Sequence, residues 1–255
     1  MRCAIDIRNI EVEAASRAGV LVTQASAGFV TAVSELVLGF LVDLSRGITR
    51  ATIDYRTGRA PGVVMGQSLH GSTLGIIGYG AIGREVARVA CALGMHVLIN
   101  DPYVTDPHVT DPHVTGIAQV SLDELFVQSD FVVPLATASA ETEKLINAAA
   151  FAKMKAGAFL INVSRGDLID EAALEAALDS GRLAGCAMDV GRASDQMPSP
   201  RLAARADVIA TPHAGGLTLP AIEHQSLETV AQAREIVQGR IPKGAVNASH
   251  WSRKP

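Results

Sequence analysis

Cysteine is scarce in this chain. Its three cysteines, Cys3, Cys91 and Cys186, lie far apart without CxxC spacing. That excludes a disulfide scaffold and a paired-cysteine zinc site, and a reduced, cytoplasmic protein is expected. Aromatic residues make up only 4%, so Ala, Val, Leu and Ile supply most of the apolar mass. Such a composition suits a helix-covered sheet better than a β-sandwich. A basic excess is also missing. The formal net charge is −4 and the pI is near 6.0, so neither nucleic acid nor an anionic membrane is expected as a partner. Long apolar runs are missing too. Residues 29–44 come nearest, and Glu35 and Asp43 interrupt them, which leaves nothing able to span a bilayer. Arg2, Asp6, Arg8, Glu11 and Glu13 occupy the start, so a signal-peptide core is not expected there.

What is present is a large buried fraction, 48% hydrophobic against 19% charged, in a pattern that alternates between short runs and helical spacing. Strands are predicted over 19–23, 73–78, 95–100, 130–135, 158–163, 183–190 and 207–211. Helices are predicted over 29–50, 81–93, 121–128, 170–180 and 219–238. The first carries Val30, Val33, Val37, Phe40, Leu41 and Leu44 on one face, and the third opens with Ser121 and Glu124 in capping-box spacing. Short buried strands alternating with helices imply crossover connections. The fold class is therefore α/β with a doubly wound parallel sheet, which the glycine pattern of residues 78–83 makes one of the Rossmann type. Residues 101–115 read DPYVT DPHVT DPHVT. Pro102, Pro107 and Pro112 forbid regular structure there, and the repeat is too short for a solenoid. It reads as an expanded surface loop. His108 and His113 have no further ligand placed to complete a metal site, so no metal is expected.

The chemistry begins at GYGAIG, which places Gly78, Gly80 and Gly83 in GxGxxG spacing after a strand and at the start of a helix. Gly78 permits the turn, Gly80 allows close backbone approach to a pyrophosphate, and Gly83 lets helix and strand pack. The amides of Ala81 and Ile82 and the positive end of the helix dipole would face the phosphates. Asp101 ends the next strand, near the spacing of roughly 20 residues expected for an acid on the adenine ribose. Its carboxylate would accept the ribose hydroxyls and repel the extra phosphate of NADP, so NAD is the expected cofactor. The alternative for Asp101 is a simple Asp-Pro turn. Asp106 and Asp111 sit in similar units, but only Asp101 directly follows the strand.

Four ordered segments then carry a resemblance: NIEVEAASRAGVLVT (9–23), the long stretch PLATASAETEKLINAAAFAKMKAGAFLINVSRGDLIDEAAL (134–174), AGCAMDV (184–190) and TPHAGG (211–216). With GYGAIG between the first two, the chain resembles the D-isomer-specific 2-hydroxyacid dehydrogenases over nearly its whole length. The resemblance implies a role for each matching residue. Arg165 matches the arginine that pairs with the carboxylate and carbonyl of the substrate, where a planar guanidinium fork holds a 2-keto acid in one orientation. His213 matches the catalytic histidine. Imidazole titrates at about pH 6.5 in free peptides and can give a proton to a carbonyl oxygen and retrieve it. Asp189 matches the aspartate that meets the nicotinamide carboxamide. Val163 and Ser164 would line the same end of the cofactor, with Gly215 and Gly216 beside the histidine. The implied reaction interconverts a D-2-hydroxy acid and a 2-keto acid.

Two departures from the family pattern stand out. The glutamate that usually pairs with the histidine falls, counted without gaps, on Ser194, with Asp195 and Gln196 as neighbours. Asp195 is taken as the acid. The family also begins with a flavodoxin-like half that builds most of the substrate domain, and this chain starts almost where that half ends. The expected division is a substrate-domain remnant and entry segment over 1–23, the NAD-binding domain over 24–218, and a helix and tail over 219–255 that return toward the substrate domain. Ala4-Ile5-Asp6 sits where the family carries a substrate loop. The helix at 29–50 resembles the family's dimer-forming helix, so a homodimer is expected. The alternative to an enzyme is an NAD-binding module or truncated remnant without turnover.

Overall fold

A computed structural model gives the architecture and describes residues 1–3, 5, 7, 9–104 and 116–253. Ala4, Asp6, Asp106, His108, Asp111 and His113, and with them most of the Asp-Pro repeat, lie outside the described residues. The chain divides into two compact units, one of residues 33–215 and one of residues 1–32 with 216–255.

In chain order the elements are α1 (Val12–Arg17), α2 (Val30–Arg46), α3 (Ile48–Arg56), β1 (Thr73–Ile77), α4 (Ala81–Ala92), β2 (His96–Asn100), β3 (Ile117–Gln119), α5 (Leu122–Gln128), β4 (Phe131–Pro134), α6 (Ala148–Lys153), β5 (Ala158–Asn162), α7 (Glu171–Asp179), β6 (Leu183–Met188), α8 (Pro200–Ala203), β7 (Val208–Ala210) and α9 (Leu219–Val237).

The larger unit holds a seven-stranded sheet in the order β3-β2-β1-β4-β5-β6-β7. Every pairing is parallel. A parallel sheet must be covered on both faces, and the sequence supplies this. Leu74, Ile76 and Ile77 of β1 and Phe131, Val132 and Val133 of β4 are all buried. On one side Phe126, Phe151, Met154, Leu168, Leu174 and Leu178 close over the strands. Pro134 lacks an N–H and stands at the last position of central β4, where the ladder stops. The strand order reverses between β1 and β4, and at this switch point doubly wound sheets bind their ligands outside the carboxyl ends.

Three readings change. The helix expected over 29–50 is two helices, because Gly47 adopts a left-handed φ of 64° between α2 and α3 and a left-handed residue cannot continue a right-handed helix. Residues 19–23 form no strand. Thr23 makes one antiparallel bridge to Ala245, and the segment is an extended coil inside the smaller unit. The edge strand β3 and the short helices α1, α6 and α8 are additional.

The smaller unit is knitted by its own two segments. Val22 N–H donates to the Asn247 side chain at 2.7 Å. The Thr23 hydroxyl donates to Gln232 at 2.8 Å, and Gln232 donates to the Gln24 carbonyl at 2.8 Å. Among the described residues no helix is long and apolar enough to cross a membrane.

Candidate functional site

The glycine turn sits at the carboxyl end of β1. Gly78 has a φ of 99°, and a Cβ there would lie 2.7 Å from the Ala136 amide nitrogen. Positive φ and close backbone approach together require glycine. A Cβ on Gly83 would strike the Gly78 carbonyl oxygen at 2.3 Å, so the third glycine is needed for helix–strand packing. Gly80 differs: a Cβ there meets nothing within 4 Å. The chain's own packing does not demand glycine at that position, whereas a group lying over the turn would. Ala81 and Ile82 open α4, and the first intrahelical bond runs from Arg84 N–H to the Gly80 carbonyl at 3.0 Å. The amides before it are the ones a helix start offers to an anion. The cradle therefore fits a dinucleotide pyrophosphate.

Asp101, at the end of β2, is tied to the same turn. Its carboxylate accepts the Tyr79 amide at 2.7 Å and the Tyr103 amide at 2.8 Å. A carboxylate has about four lone-pair sites, so capacity for ribose hydroxyls remains. Arg84 lies over the Tyr79 ring at 4.6 Å.

Three further loops leave neighbouring strands on the same edge of the sheet. After β5 come Val163, Ser164 and Arg165. Asn162 is fully buried at the strand end. It donates to the Arg165 carbonyl at 2.9 Å and accepts the Ser164 amide at 3.1 Å, which fixes the loop that presents Arg165. Arg165 Nη1 donates to the Ser164 carbonyl at 2.7 Å, and the Ser164 hydroxyl reaches the Ala136 carbonyl at 3.3 Å. Ala136 is also the residue against which Gly78 packs, so the β5 loop and the glycine turn share a support.

After β6 comes Asp189, 1% exposed. Its carboxylate accepts the Thr211 hydroxyl at 2.6 Å, the Ala214 amide at 2.7 Å and the Gly215 amide at 2.8 Å. Its main-chain carbonyl accepts the His213 amide at 2.9 Å. The residue expected at the nicotinamide thus also pins the whole TPHAG loop. Gly191 follows, and a Cβ on Gly166 would meet the Gly191 carbonyl carbon at 2.3 Å, so the loops after β5 and β6 touch through glycine.

After β7 comes His213, partly exposed and at a positive φ of 54°. Its Nδ1 lies 3.1 Å from the main-chain oxygen of Asp195. The sequence reading paired it with the Asp195 carboxylate; the partner in the structure is the backbone of that residue. Gly216 belongs to the smaller unit, where a Cβ would stand 3.5 Å from Phe29. Asn162 and Thr211 were missed as supporting residues. A polar residue closing an otherwise apolar strand was the available signal for each.

A cavity of about 500 Å³ lies elsewhere, lined by Leu44, Arg46, Met65, Phe159 and Val208 among others. It meets the amino ends of β5, β6 and β7, opposite the edge that carries Arg165 and His213. Among the described residues no cluster of His, Cys, Asp and Glu could hold a metal ion.

Fold and site together define a dinucleotide-binding α/β protein of the Rossmann class. The family model for "D-isomer specific 2-hydroxyacid dehydrogenase, NAD binding domain" matches residues 38–215. The chain belongs to that family. It is 35% identical over 248 residues to D-3-phosphoglycerate dehydrogenase 3, chloroplastic, of Arabidopsis thaliana, a match covering 97% of this chain and 42% of that one. It is 36% identical over 249 residues to D-3-phosphoglycerate dehydrogenase of Rattus norvegicus, covering 97% and 46%. The chain therefore spans less than half the length of these relatives. Among solved structures, a glyoxylate reductase from Paecilomyes thermophila superposes with a TM-score of 0.85 at 30% identity, covering 96% of this chain and 74% of that one. The apo-structure of D-lactate dehydrogenase from Escherichia coli gives 0.84 at 29%, covering 96% and 76%.

Proposed function

We propose that this chain is an NAD-dependent oxidoreductase interconverting a D-2-hydroxy acid and a small 2-keto acid. The observation that carries the reading is the placement of Arg165 and His213. They follow β5 and β7, flank β6 and the Asp189 that follows it, and share the carboxyl side of the sheet with the glycine turn. The bound nicotinamide supplies or accepts the hydride. Arg165 holds the substrate carboxylate and keto oxygen through its guanidinium fork. His213 gives a proton to that oxygen during reduction and takes it back during oxidation. Val163 and Ser164 line the nicotinamide end, Asp189 offers its remaining acceptor capacity to the carboxamide, and Asp101 selects NAD over NADP.

Purified protein mixed with NADH and a panel of small 2-keto acids, followed by loss of reduced-nicotinamide absorbance, tests this. Turnover is expected, and it falls by at least about 100-fold in His213→Ala and in Arg165→Ala, the scale of general acid–base catalysis. A folded, NADH-binding sample with no turnover across the panel would sink the dehydrogenase reading. It would favour a second one, an NAD-binding module without turnover. What supports that alternative is the charge on this contact: the Asp195 carbonyl orients the His213 ring but, unlike a carboxylate, brings no negative charge to pair with the imidazolium.

A further inference from the structure

Residues 194–197 form a tight turn. The Met197 amide donates to the Ser194 carbonyl at 3.3 Å, and the two central residues, Asp195 and Gln196, both have positive φ, 57° and 59°. Two successive left-handed residues between a four-residue hydrogen bond define a type I′ turn, which favours Asp, Asn or Gly because these tolerate the left-handed region. Two more backbone bonds brace it: Gly191 N–H to the Gln196 carbonyl at 2.8 Å and Ala193 N–H to the Met197 carbonyl at 3.1 Å. The turn is thus held by main chain. The residue choice at Asp195 is explained by its backbone alone.

This turn aims the Asp195 carbonyl oxygen at Nδ1 of His213. A carbonyl only accepts, so the bond requires Nδ1 to carry the proton. In the neutral ring Nε2 is then the basic nitrogen, free to exchange a proton with substrate. The other side of His213 is equally fixed, since its amide donates to the Asp189 carbonyl at 2.9 Å and the next two amides bind the Asp189 carboxylate. Both His213 and the turn opposite occupy the left-handed region, a backbone state that persists only where surrounding bonds over-determine it.

We infer that the main-chain carbonyl of Asp195, presented by a type I′ turn, is the positioning group that sets the His213 tautomer, and that the Asp195 carboxylate has no part in it. The inference rests on the catalytic reading of His213, and it separates two properties of one residue. Asp195→Gly and Asp195→Asn change or remove the carboxylate but keep the turn. Gln196→Pro keeps the carboxylate but forbids the positive φ and removes the Gln196 amide that donates to Ala193 at 3.1 Å.

Long-range proton–nitrogen spectra of histidine-labelled protein read the tautomer directly, with the His213 signals assigned by their loss in His213→Ala. One neutral tautomer protonated at Nδ1 is expected in the parent chain, in Asp195→Gly and in Asp195→Asn. In Gln196→Pro the tautomers mix, and kcat falls by about 100-fold with little change in KM, the scale of a misplaced catalytic group. A parent chain protonated at Nε2 overturns the inference. So does tautomer mixing in Asp195→Gly and Asp195→Asn, an outcome that needs no folded Gln196→Pro protein. Turnover measured on the same samples separates the two claims. An Nδ1-protonated His213 without turnover sinks the dehydrogenase reading and leaves the tautomer assignment standing; turnover with an Nε2-protonated ring does the reverse.

Discussion

Individual residues divide between those the protein needs for itself and those it keeps for something bound. The glycine turn makes the division testable. Gly83→Ala places a methyl 2.3 Å from a backbone oxygen, so it should lower stability by about 1–3 kcal/mol, as overpacking does. Gly80→Ala meets nothing of the chain's own within 4 Å. It should leave the urea midpoint within about 0.5 kcal/mol of the parent while weakening NADH binding, measured by fluorescence titration. Equal destabilisation by both would mean that Gly80 serves packing and not a ligand. Asp189 spans the two roles. Oδ1 accepts Thr211 and Ala214 and Oδ2 accepts Gly215, so Asn at this position sets its amide nitrogen, a donor, against at least one of these donors. Loss of roughly 2–3 kcal/mol in urea unfolding is expected, because hydrogen bonds to a charged partner exceed neutral ones. An unchanged midpoint would show that the loop stands without its carboxylate.

Among the secondary-structure elements, the short helices depend on their caps. Asn147 accepts the amides of Ala149 and Ala150 at the start of α6, so Asn147→Ala should cost about 1 kcal/mol in thermal or urea unfolding. The start of β7 is tied to the end of α7 by Arg205, which binds Asp207 through two nitrogens and Asp179 at 2.7 Å. The Arg205 hydrogen bonds hold the Asp207 carboxyl below its ordinary value. A carboxyl with a lowered folded pKa contributes stability that is full above the ordinary aspartate value of about 3.9 and is lost as pH falls through the lower folded value. Urea unfolding across pH should find Arg205→Ala weaker at neutral pH by roughly 0.5–1 kcal/mol after screening. That gap should close on acidification; a constant gap would contradict the assignment. The same elements show what a sequence discloses. Doubly buried strands such as FVVP and TLGII announce themselves as apolar runs between turns, and a helix with Ser121 and Glu124 in register announces its cap. Three-residue β3 has too few residues to set a period. Residues 19–23 have a strand's composition, but they pair through one isolated bridge at Thr23 and the Asn247 side chain rather than a ladder. Gly47 after Arg46 carries the glycine mark of a helix end, but the apolar pattern stays helical on both sides of it and outweighed that mark. At the site, motif spacing led to the loops after β1, β2, β5, β6 and β7. It could not tell whether Asp195 would use its side chain or its carbonyl, because that depends on two backbone angles.

For the molecule as a whole, apolar side chains without cover invite a second copy. Val63 and Met65 are 104% and 96% exposed, in the stretch that follows α3. A homodimer is the expected state, sedimenting near twice the 26.6 kDa of one chain, and Val63→Glu with Met65→Glu should shift it toward monomer. A wild-type chain that sediments as a monomer at high concentration would remove that expectation. The partition into two units has a different consequence. The smaller unit is discontinuous in sequence, and about 180 residues separate its halves. Closing a free loop of that length has an entropic cost that grows with the logarithm of its span. The larger unit supplies the closure, for a Cβ on Gly215 would lie 3.5 Å from Val33, the two ends of that unit meeting across its own interior. The intervening unit is therefore expected to fold first, which would leave the Val22 and Gln24 amides among the earliest to exchange their hydrogens; exchange there slower than in β1 or β4 would contradict that order.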